Sequence, residues 1–337
     1  MFQKSKIFEA SPLYLRTWIN LKSMKKIFSI LLTLLLWISF VNAQELVNPE
    51  KLSAKALNFM VANDMGRRGI SEQKNIATLM GKEAEYNRIN FIAVAGDPIH
   101  DDGVKSTVDI EWKDKFENIY TASSLMNIPW YVVSGNHEYH GSVQAILDYS
   151  KLSGRWKAPA RYYSIEKSIG KTGEKCLFVF IDTPPLIEKY RADSSYSDAG
   201  KQDYEKQLSW IDSTLVTSKN RWKIVIGHHP VYADTEKILT ERTDMQKRVE
   251  VILEKRKADV YICGHIHNFQ HIKPEGKTVN YVVNSSASAS RPVKNTDGTL
   301  FCNPDPGFTI CSVTQKNFTF SFINHKGETV YKYVIHK

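Results

Sequence analysis

Five apolar, strand-like runs in this chain each end at a residue whose side chain can bind a metal ion. The runs and the residues that follow them are Leu57–Asn63 with Asp64, Phe91–Ala95 with Gly96-Asp97, Trp130–Ser134 with Gly135-Asn136-His137-Glu138, Trp222–Ile226 with Gly227-His228-His229-Pro230, and Val260–Cys263 with Gly264-His265-Ile266-His267. In open α/β sheets, ligands bind beyond the carboxyl ends of the strands. We therefore expect these side chains to converge at one edge of one sheet.

Segments with helical spacing separate these runs and a sixth strand-like run, Cys176–Ile181. The predicted helices are Ser71–Arg88, Trp112–Met126, Tyr204–Thr217 and Met245–Lys255. Alternating strands and helices are typical of an α/β domain. The long polar segments Pro98–Ile110 and Pro184–Lys201 lack regular periodicity, and we expect them to form the rim of a site.

The pattern changes after Gly264, where Phe269–Ser286 and Phe308–Ile335 read as successive strands joined by turns. This favours a second, more antiparallel sheet near the C-terminus. No repeat or low-complexity linker marks a domain boundary. We therefore predict one domain over residues 44–337.

The N-terminal residues 1–43 are predicted not to belong to that domain. From Met24 the chain has a basic start, an apolar run and small residues up to Ala43, which is the layout of a secretory signal peptide. Met24 is then the true start, and the mature protein is exported, either periplasmic or secreted. The alternative is a retained membrane anchor, but the apolar run of about 15 residues is shorter than the roughly 20 that a bilayer needs.

Removal of this segment changes the charge of the protein. The whole chain carries +9, from 45 Lys and Arg against 36 Asp and Glu. Residues 1–43 hold six basic residues and one acidic one, which leaves 39 against 35, or +4. No basic stripe of the kind that nucleic-acid binders show remains, so we expect no nucleic-acid partner. After cleavage of the signal peptide we also expect no stable membrane insertion.

Four cysteines are present in the mature region, and an exported protein can form disulfides. Cys302 and Cys311 flank a turn and are the predicted pair, whereas Cys176 and Cys263 are expected to be buried small apolar residues. No CxxC motif indicates a cysteine-based zinc site.

Aspartate, asparagine carbonyl and imidazole form a mixed oxygen and nitrogen set, which suits Zn, Mn or Fe. The set is larger than one ion needs, and two ions that share a carboxylate are an arrangement that hydrolyses phosphate esters. The hydroxide that such ions generate attacks phosphorus in line. No GxSxG motif offers a serine nucleophile.

The order of these motifs resembles the calcineurin-like metallophosphoesterases, and within them the purple acid phosphatases, especially the single-domain tartrate-resistant branch. The five motifs of that family stand here as Asp64-Met65-Gly66, Gly96-Asp97-Pro98-Ile99-His100, Gly135-Asn136-His137-Glu138, Gly227-His228-His229-Pro230 and Gly264-His265-Ile266-His267. The resemblance covers nearly everything from Leu57 onward. It implies a four-layer α-β-β-α sandwich of two mixed sheets.

The resemblance also implies a role for each site residue. Asp97 would bridge two metal ions. The first ion would be held by Asp64 and His267, and the second by Asn136, His228 and His265. His137 resembles the family's histidine that contacts substrate phosphate, with Asn136 beside it, and that helps to protonate the leaving group.

Two positions depart from the family pattern. His100 stands where the purple enzymes have the tyrosine that gives the colour, so it is either a seventh ligand or a residue that turns away into a loop hydrogen bond. Lys237 replaces a further histidine of the tartrate-resistant enzymes, and either His229 or Lys237 is expected to contact phosphate instead.

These observations support a phosphomonoesterase that acts on a small phosphorylated substrate. The same fold and site are compatible with a phosphodiesterase or nucleotide-hydrolysing enzyme, and also with a relative that binds metal without turnover. The complete ligand set argues against the last of these.

Overall fold

The predicted apolar runs become central strands of two β-sheets in the computed structural model, which describes residues 51–196, 198–237 and 239–337. The predicted signal peptide and the boundary at residue 43 lie outside the described residues. The strands, in chain order, are β1 Leu57–Ala62, β2 Phe91–Ala95, β3 Trp130–Val133, β4 Trp156–Lys157, β5 Tyr163–Ser168, β6 Lys175–Phe180, β7 Trp222–Ile226, β8 Val260–Cys263, β9 Phe269–Ile272, β10 Asn280–Val283, β11 Thr299–Asn303, β12 Gly307–Val313, β13 Asn317–Asn324 and β14 Thr329–His336.

Helices connect the parallel strands and cover the outer faces of the sheets. They are α1 Gln73–Asn87, α2 Ser123–Met126, α3 Val143–Asp148, α4 Glu188–Ala192, α5 Tyr204–Thr217, α6 Leu239–Met245 and α7 Val251–Lys255. The predicted helix Trp112–Met126 is interrupted, with a π-helical turn at Lys113–Glu117 ahead of α2. A second π-helical turn at Gln246–Glu250 joins α6 to α7.

Each sheet has seven strands and mixes parallel with antiparallel pairs. The first has the order β14-β13-β12-β1-β2-β3-β4, and β1 to β4 pair in parallel whereas β12 to β14 pair antiparallel. The second has the order β11-β9-β10-β8-β7-β6-β5, and its parallel pairs are β6 with β7, β7 with β8, and β8 with β10. The parallel strands bury both faces, which is why they read as continuous apolar runs.

Two expectations about the sheets are wrong. The C-terminal strands do not make a sheet of their own, because β12 pairs with β1 and extends the first sheet while β9 to β11 join the second. The site residues also do not follow strands of a single sheet. Asp64, Asp97 and Asn136 follow β1, β2 and β3 of the first sheet, whereas His228 and His265 follow β7 and β8 of the second.

An apolar core rich in aromatic rings joins the two sheets. Phe59 and Phe91 of the first sheet meet Phe178 of the second edge to face, with ring centroids 5.1 Å apart in both pairs. Two further clusters of buried side chains include α1 with the first sheet and α5 with the second. The α/β fold of two mixed sheets flanked by helices is therefore confirmed.

The predicted disulfide between Cys302 and Cys311 is wrong, since both cysteines are free. Cys302 lies on β11 of the second sheet, whereas Cys311 is buried on β12 of the first. Their closeness in sequence across a turn does not bring their side chains together. Cys176 and Cys263 are buried, as expected.

Within the part of the chain that the structure describes, none of the helices combines the length and the apolar character needed to cross a bilayer.

Candidate metal centre

The loops that follow β1, β2 and β8 hold four site residues in an unusual backbone conformation. Asp64, Asp97, His265 and His267 all have positive φ angles, of 50°, 47°, 71° and 63°. Side chains other than glycine rarely adopt this left-handed region, and such strain clusters at functional sites. These four residues follow the carboxyl ends of β1 and β2 in the first sheet and of β8 in the second, so the strained positions come from both sheets.

Two glycines allow the loops to approach one another. A Cβ at Gly135 would lie 2.7 Å from the backbone nitrogen of Asp97, and also against its Oδ1. A Cβ at Gly96 would lie 2.5 Å from Cγ of His228. The glycine ahead of a ligand thus makes room for the ligand of the neighbouring loop.

Asp64, His100 and His267 form one buried group whose ligand atoms all lie within 4.8 Å of one another. Oδ1 of Asp64 is 2.9 Å from Nε2 of His267 and 3.8 Å from Nε2 of His100. The other oxygen, Oδ2, accepts the backbone N–H of His265 at 2.8 Å. This second bond fixes the carboxylate against the loop from the other sheet.

Asp97 lies between that group and the histidines of the second sheet. Its Oδ2 is 3.0 Å from Nε2 of His228 and 3.8 Å from Nε2 of His100. His228 donates its Nδ1–H to the carbonyl of Ala95 at 2.9 Å, which leaves Nε2 to face the site. Nδ1 of His265 lies 3.2 Å from that Nε2. Asp97 is therefore placed to be shared by two neighbouring groups of ligands.

Unpartnered buried atoms at this place fit a metal ion. Oδ1 of Asn136 and both ring nitrogens of His100 are buried and have no hydrogen-bond partner among the described residues. Buried polar atoms in folded proteins are nearly always satisfied, so such atoms need an explanation. Amide oxygen and imidazole nitrogen are both donors that borderline metal ions accept.

The charges at the site also suit metal binding, since metal ligands must be deprotonated. Burial lowers the pKa of His100 to about 3 and lowers the pKa of His265 and His267 below its ordinary value. His228 is the exception, because Asp97 and Asp64 outweigh the effect of burial and raise its pKa to about 9, so binding of a metal ion at His228 would have to release a proton.

The same charges act on the two carboxylates. Burial would raise the pKa of Asp64 and of Asp97, yet the surrounding histidines hold both well below the usual range. Two ionised carboxylates thus lie among buried imidazoles.

His137 lies at the rim of the site, with 29% of its side chain exposed. Its Nδ1–H donates to the carbonyl of Asp101, and its Nε2 is 3.8 Å from Oδ2 of Asp97. Because Nδ1 is occupied by the loop, Nε2 is the nitrogen that faces the site. Its backbone N–H also donates to Oδ1 of Asp97 at 3.0 Å.

The geometry does not support the substrate contact predicted for His229. Its side chain is fully buried, its Nδ1 is 2.8 Å from Oγ1 of Thr183, and its Nε2 is 2.9 Å from the hydroxyl of Tyr190. Both ring nitrogens are therefore engaged within the protein. His229 packs behind His265, with ring centroids 4.2 Å apart.

Two cations border the site next to His265. Nζ of Lys237 lies 3.0 Å from Nε2 and 3.2 Å from Nδ1 of that ring. Arg291 donates from Nη1 to the carbonyl of His265 at 3.2 Å. Both line one cleft of about 310 Å³ beside the loop that carries His265 and His267. Sequence reasoning named Lys237 but missed Arg291, because an isolated arginine in an irregular segment carries no motif.

Glu241 was also missed, although it is 2% exposed and its Oε2 lies 3.0 Å from Nε2 of His265. Its segment was assigned to no predicted element. The signal available was a lone acidic residue shortly after the Gly227-His228 motif, which on its own indicates nothing.

Comparison with known proteins places this chain among phosphoesterases. Residues 57–269 match the family model described as calcineurin-like phosphoesterase. Purple acid phosphatase 4 of Arabidopsis thaliana is 31% identical over 291 residues, which are 82% of this chain and 83% of that protein. Tartrate-resistant acid phosphatase type 5 of Oryctolagus cuniculus is 30% identical over 271 residues, covering 76% of this chain and 82% of the relative.

A solved structure supports the fold. The protein described as GAP50, the anchor in the inner membrane complex of Plasmodium, aligns with a TM-score of 0.71 at 22% identity. The alignment covers 83% of this chain and 89% of the other.

Proposed function

Because this chain belongs to the calcineurin-like phosphoesterase family, we propose that it is a dinuclear metal-dependent phosphatase that hydrolyses phosphate monoesters. The family, its relation to acid phosphatases and its buried groups of His and Asp point to a metallophosphoesterase. The observation that carries the finer proposal is Oδ1 of Asn136, which belongs to the Gly135-Asn136-His137-Glu138 motif and is buried without a partner among the described residues.

The proposed ligands divide into two sets around Asp97, which would bridge the two ions. Asp64, His100 and His267 would hold the first ion, and their mutual closeness supports this assignment. Asn136, His228 and His265 would hold the second. His100 is proposed as a ligand in place of a loop hydrogen-bonding residue, because neither of its ring nitrogens has a partner among the described residues.

The mixed set of carboxylate, amide and imidazole ligands suits Fe, Zn or Mn. When bound, such a pair of ions supplies Lewis-acid polarisation of the phosphoryl group and activation of water.

Side chains of the protein would bind the phosphate and protonate the leaving group. His137 presents Nε2 from the rim, where it would donate a proton to the departing oxygen. Lys237 and Arg291 line a cleft beside the loop that carries His265 and His267, and both would neutralise phosphate oxygens there. Lys237 is thus proposed to make the phosphate contact that the engaged ring nitrogens of His229 do not offer.

The proposal also covers the kind of substrate and the place where the protein acts. The proposed substrate is a small phosphorylated molecule, and the cleft of about 310 Å³ at Lys237 and Arg291 has room for a phosphate group. The signal-peptide pattern before Gln44 supports export to the periplasm or the medium. N-terminal sequencing of the exported protein tests this, since a mature chain that begins at Gln44 is expected, and a chain that retains residues 24–43 contradicts it.

The activity is tested with protein that starts at Gln44 and is loaded in turn with Mn, Zn or Fe. Hydrolysis of an aryl phosphate well above that of a bis-aryl phosphate is expected. The reverse preference would indicate a phosphodiesterase, and inactivity on both substrates without bound metal would overturn the enzyme proposal.

Asp97→Ala is the negative control for this assay. It removes the proposed bridge and is expected to abolish both metal binding and turnover. An active, metal-replete Asp97→Ala protein would contradict the ligand assignment.

A further inference from the structure

A buried carboxylate that belongs to none of the proposed ligand sets, that of Glu241 on α6, lies next to His265. The side chain is 2% exposed, so its charge is largely removed from solvent. Its Oε2 is 3.0 Å from Nε2 of His265, whereas Nδ1 of the same ring is 3.2 Å from Nε2 of His228. The two nitrogens of His265 therefore face different partners.

The other oxygen of Glu241 is held by the rim helix α4. Oε1 accepts from Nζ of Lys189 at 2.8 Å and from the hydroxyl of Tyr190 at 2.9 Å. These two bonds fix the carboxylate so that Oε2 alone points at His265. A buried carboxylate persists only when its hydrogen bonds and charge are compensated, and here the compensation comes from α4.

The ammonium group of Lys237 is a second group close to the ring nitrogens of His265. Nζ of Lys237 lies within hydrogen-bond distance of both nitrogens of His265. An ammonium group can only donate, so it attracts whichever ring nitrogen carries the lone pair. Without a partner for the Nε2–H group, the imidazole can place that lone pair at Nε2, toward Lys237. Glu241 accepts the Nε2–H and leaves the lone pair at Nδ1, toward His228 and Asp97.

We propose, on the basis of the dinuclear site proposed above, that Glu241 is a positioning residue that fixes the tautomer and orientation of His265 and thereby sets the affinity of the second metal ion. Histidine ligands generally donate their second N–H to a carboxylate or carbonyl, and loss of that partner weakens metal binding about 10- to 100-fold. The effect is specific to one ion, since Glu241 contacts no residue of the Asp64, His100 and His267 group among the contacts described.

The test measures metal affinity by competition with a chelator, using the mature chain and Zn²⁺ or Mn²⁺ as the probe. Glu241→Gln keeps the size of the side chain and removes its charge. We expect the second ion to bind about 10- to 100-fold more weakly while the first ion keeps its affinity. Glu254→Gln is the matched control, because Glu254 also accepts a tyrosine hydroxyl, from Tyr281, but lies on α7 outside the site. It should leave both affinities unchanged.

The outcomes separate this inference from the proposed function. A wild-type chain that binds no metal and hydrolyses no phosphate ester overturns the proposed function. A wild-type chain with two ions and activity, together with unchanged binding of both ions by Glu241→Gln, overturns only the role of Glu241. Equal weakening of both ions would also overturn it, because a general structural defect has that signature.

A second variant keeps the test decisive if Glu241→Gln does not fold. Tyr190→Phe removes one of the two donors that hold Oε1 and leaves the carboxylate in place. It is expected to weaken the second ion by a smaller factor than Glu241→Gln and to leave the first unchanged. Binding of both ions at wild-type affinity by Tyr190→Phe would contradict the proposed anchoring.

Discussion

Substitution of Gly135 by alanine tests whether the close approach of two loops builds the site. Gly135 has an ordinary backbone conformation, so alanine introduces no strain in φ. The new Cβ would instead lie 2.7 Å from the backbone nitrogen of Asp97, far inside normal van der Waals contact, and against its Oδ1. A side-chain oxygen can rotate away, but the backbone of the next loop must shift as a unit.

The expected cost follows from this contact. Overpacking of a well-packed interior typically costs about 1–3 kcal/mol. The shift also displaces the proposed bridging carboxylate, so metal affinity should fall by about tenfold for each 1.4 kcal/mol of lost binding free energy. Gly135→Ala should therefore lower both the free energy of unfolding of the metal-free protein, measured in urea, and the metal content after dialysis, measured by elemental analysis.

Gly154→Ala provides the matched control. It makes the same chemical change at a position where a Cβ meets no described heavy atom within 4 Å. A neutral effect, or a gain of about 0.4–1 kcal/mol from reduced freedom of the unfolded chain, is expected there. If Gly135→Ala retained wild-type metal content and unfolded like Gly154→Ala, the argument from loop contact would be refuted.

Three further predictions concern single side chains. His137→Ala should keep its metal and lose about 10²–10⁴-fold in turnover, since general acid catalysis contributes that much; loss of metal together with activity would show a ligand instead. Because His100 is proposed as a ligand at the position expected to hold the tyrosine of the purple enzymes, the iron-loaded protein should lack the strong purple absorption band, and a tyrosinate-like band would refute this. Burial raises the pKa of Asp182 from 3.8 to about 7, so the contribution of this one carboxyl group to the unfolding free energy should fall as pH rises from about 4 to about 7. The unfolding free energy of the metal-free Asp182→Asn protein relative to the wild type should therefore rise across that range in urea titrations, and a constant difference would count against a buried neutral Asp182.

The strands and the residues that follow them were predictable because they depend on local pattern. Buried parallel strands are continuous apolar runs, and the predicted bounds of β2, β7 and β8 agree with the structure. The residues after these strands, such as Asp97 and His265, then lie at the sheet ends whatever the order of the strands.

The pairing of strands was not predictable from the same pattern. The partner of β1 on one side is β12, more than 200 residues away in sequence, and no local periodicity specifies that contact. The sequence therefore indicated convergence at a single sheet, whereas the site joins the ends of two. The predicted disulfide is wrong for the same reason, since Cys302 and Cys311 belong to strands of different sheets.

Helix continuity and supporting residues also depend on tertiary packing. The segment from Trp112 is helical in spacing, but its aromatic rings pack on the first sheet, with Phe116 5.1 Å from Trp130 and 4.9 Å from Trp156, and the helix is interrupted there. The relevance of Glu241 to the site follows only from its contact with His265, and no spacing in the sequence predicts that contact.

The most direct test of the central claim is the metal content of the purified native protein. Two ions per chain, drawn from Fe, Zn and Mn, are predicted for the wild type. Protein that is fully folded and active on aryl phosphate but contains no metal, or that stays active after complete chelation, would contradict the dinuclear centre.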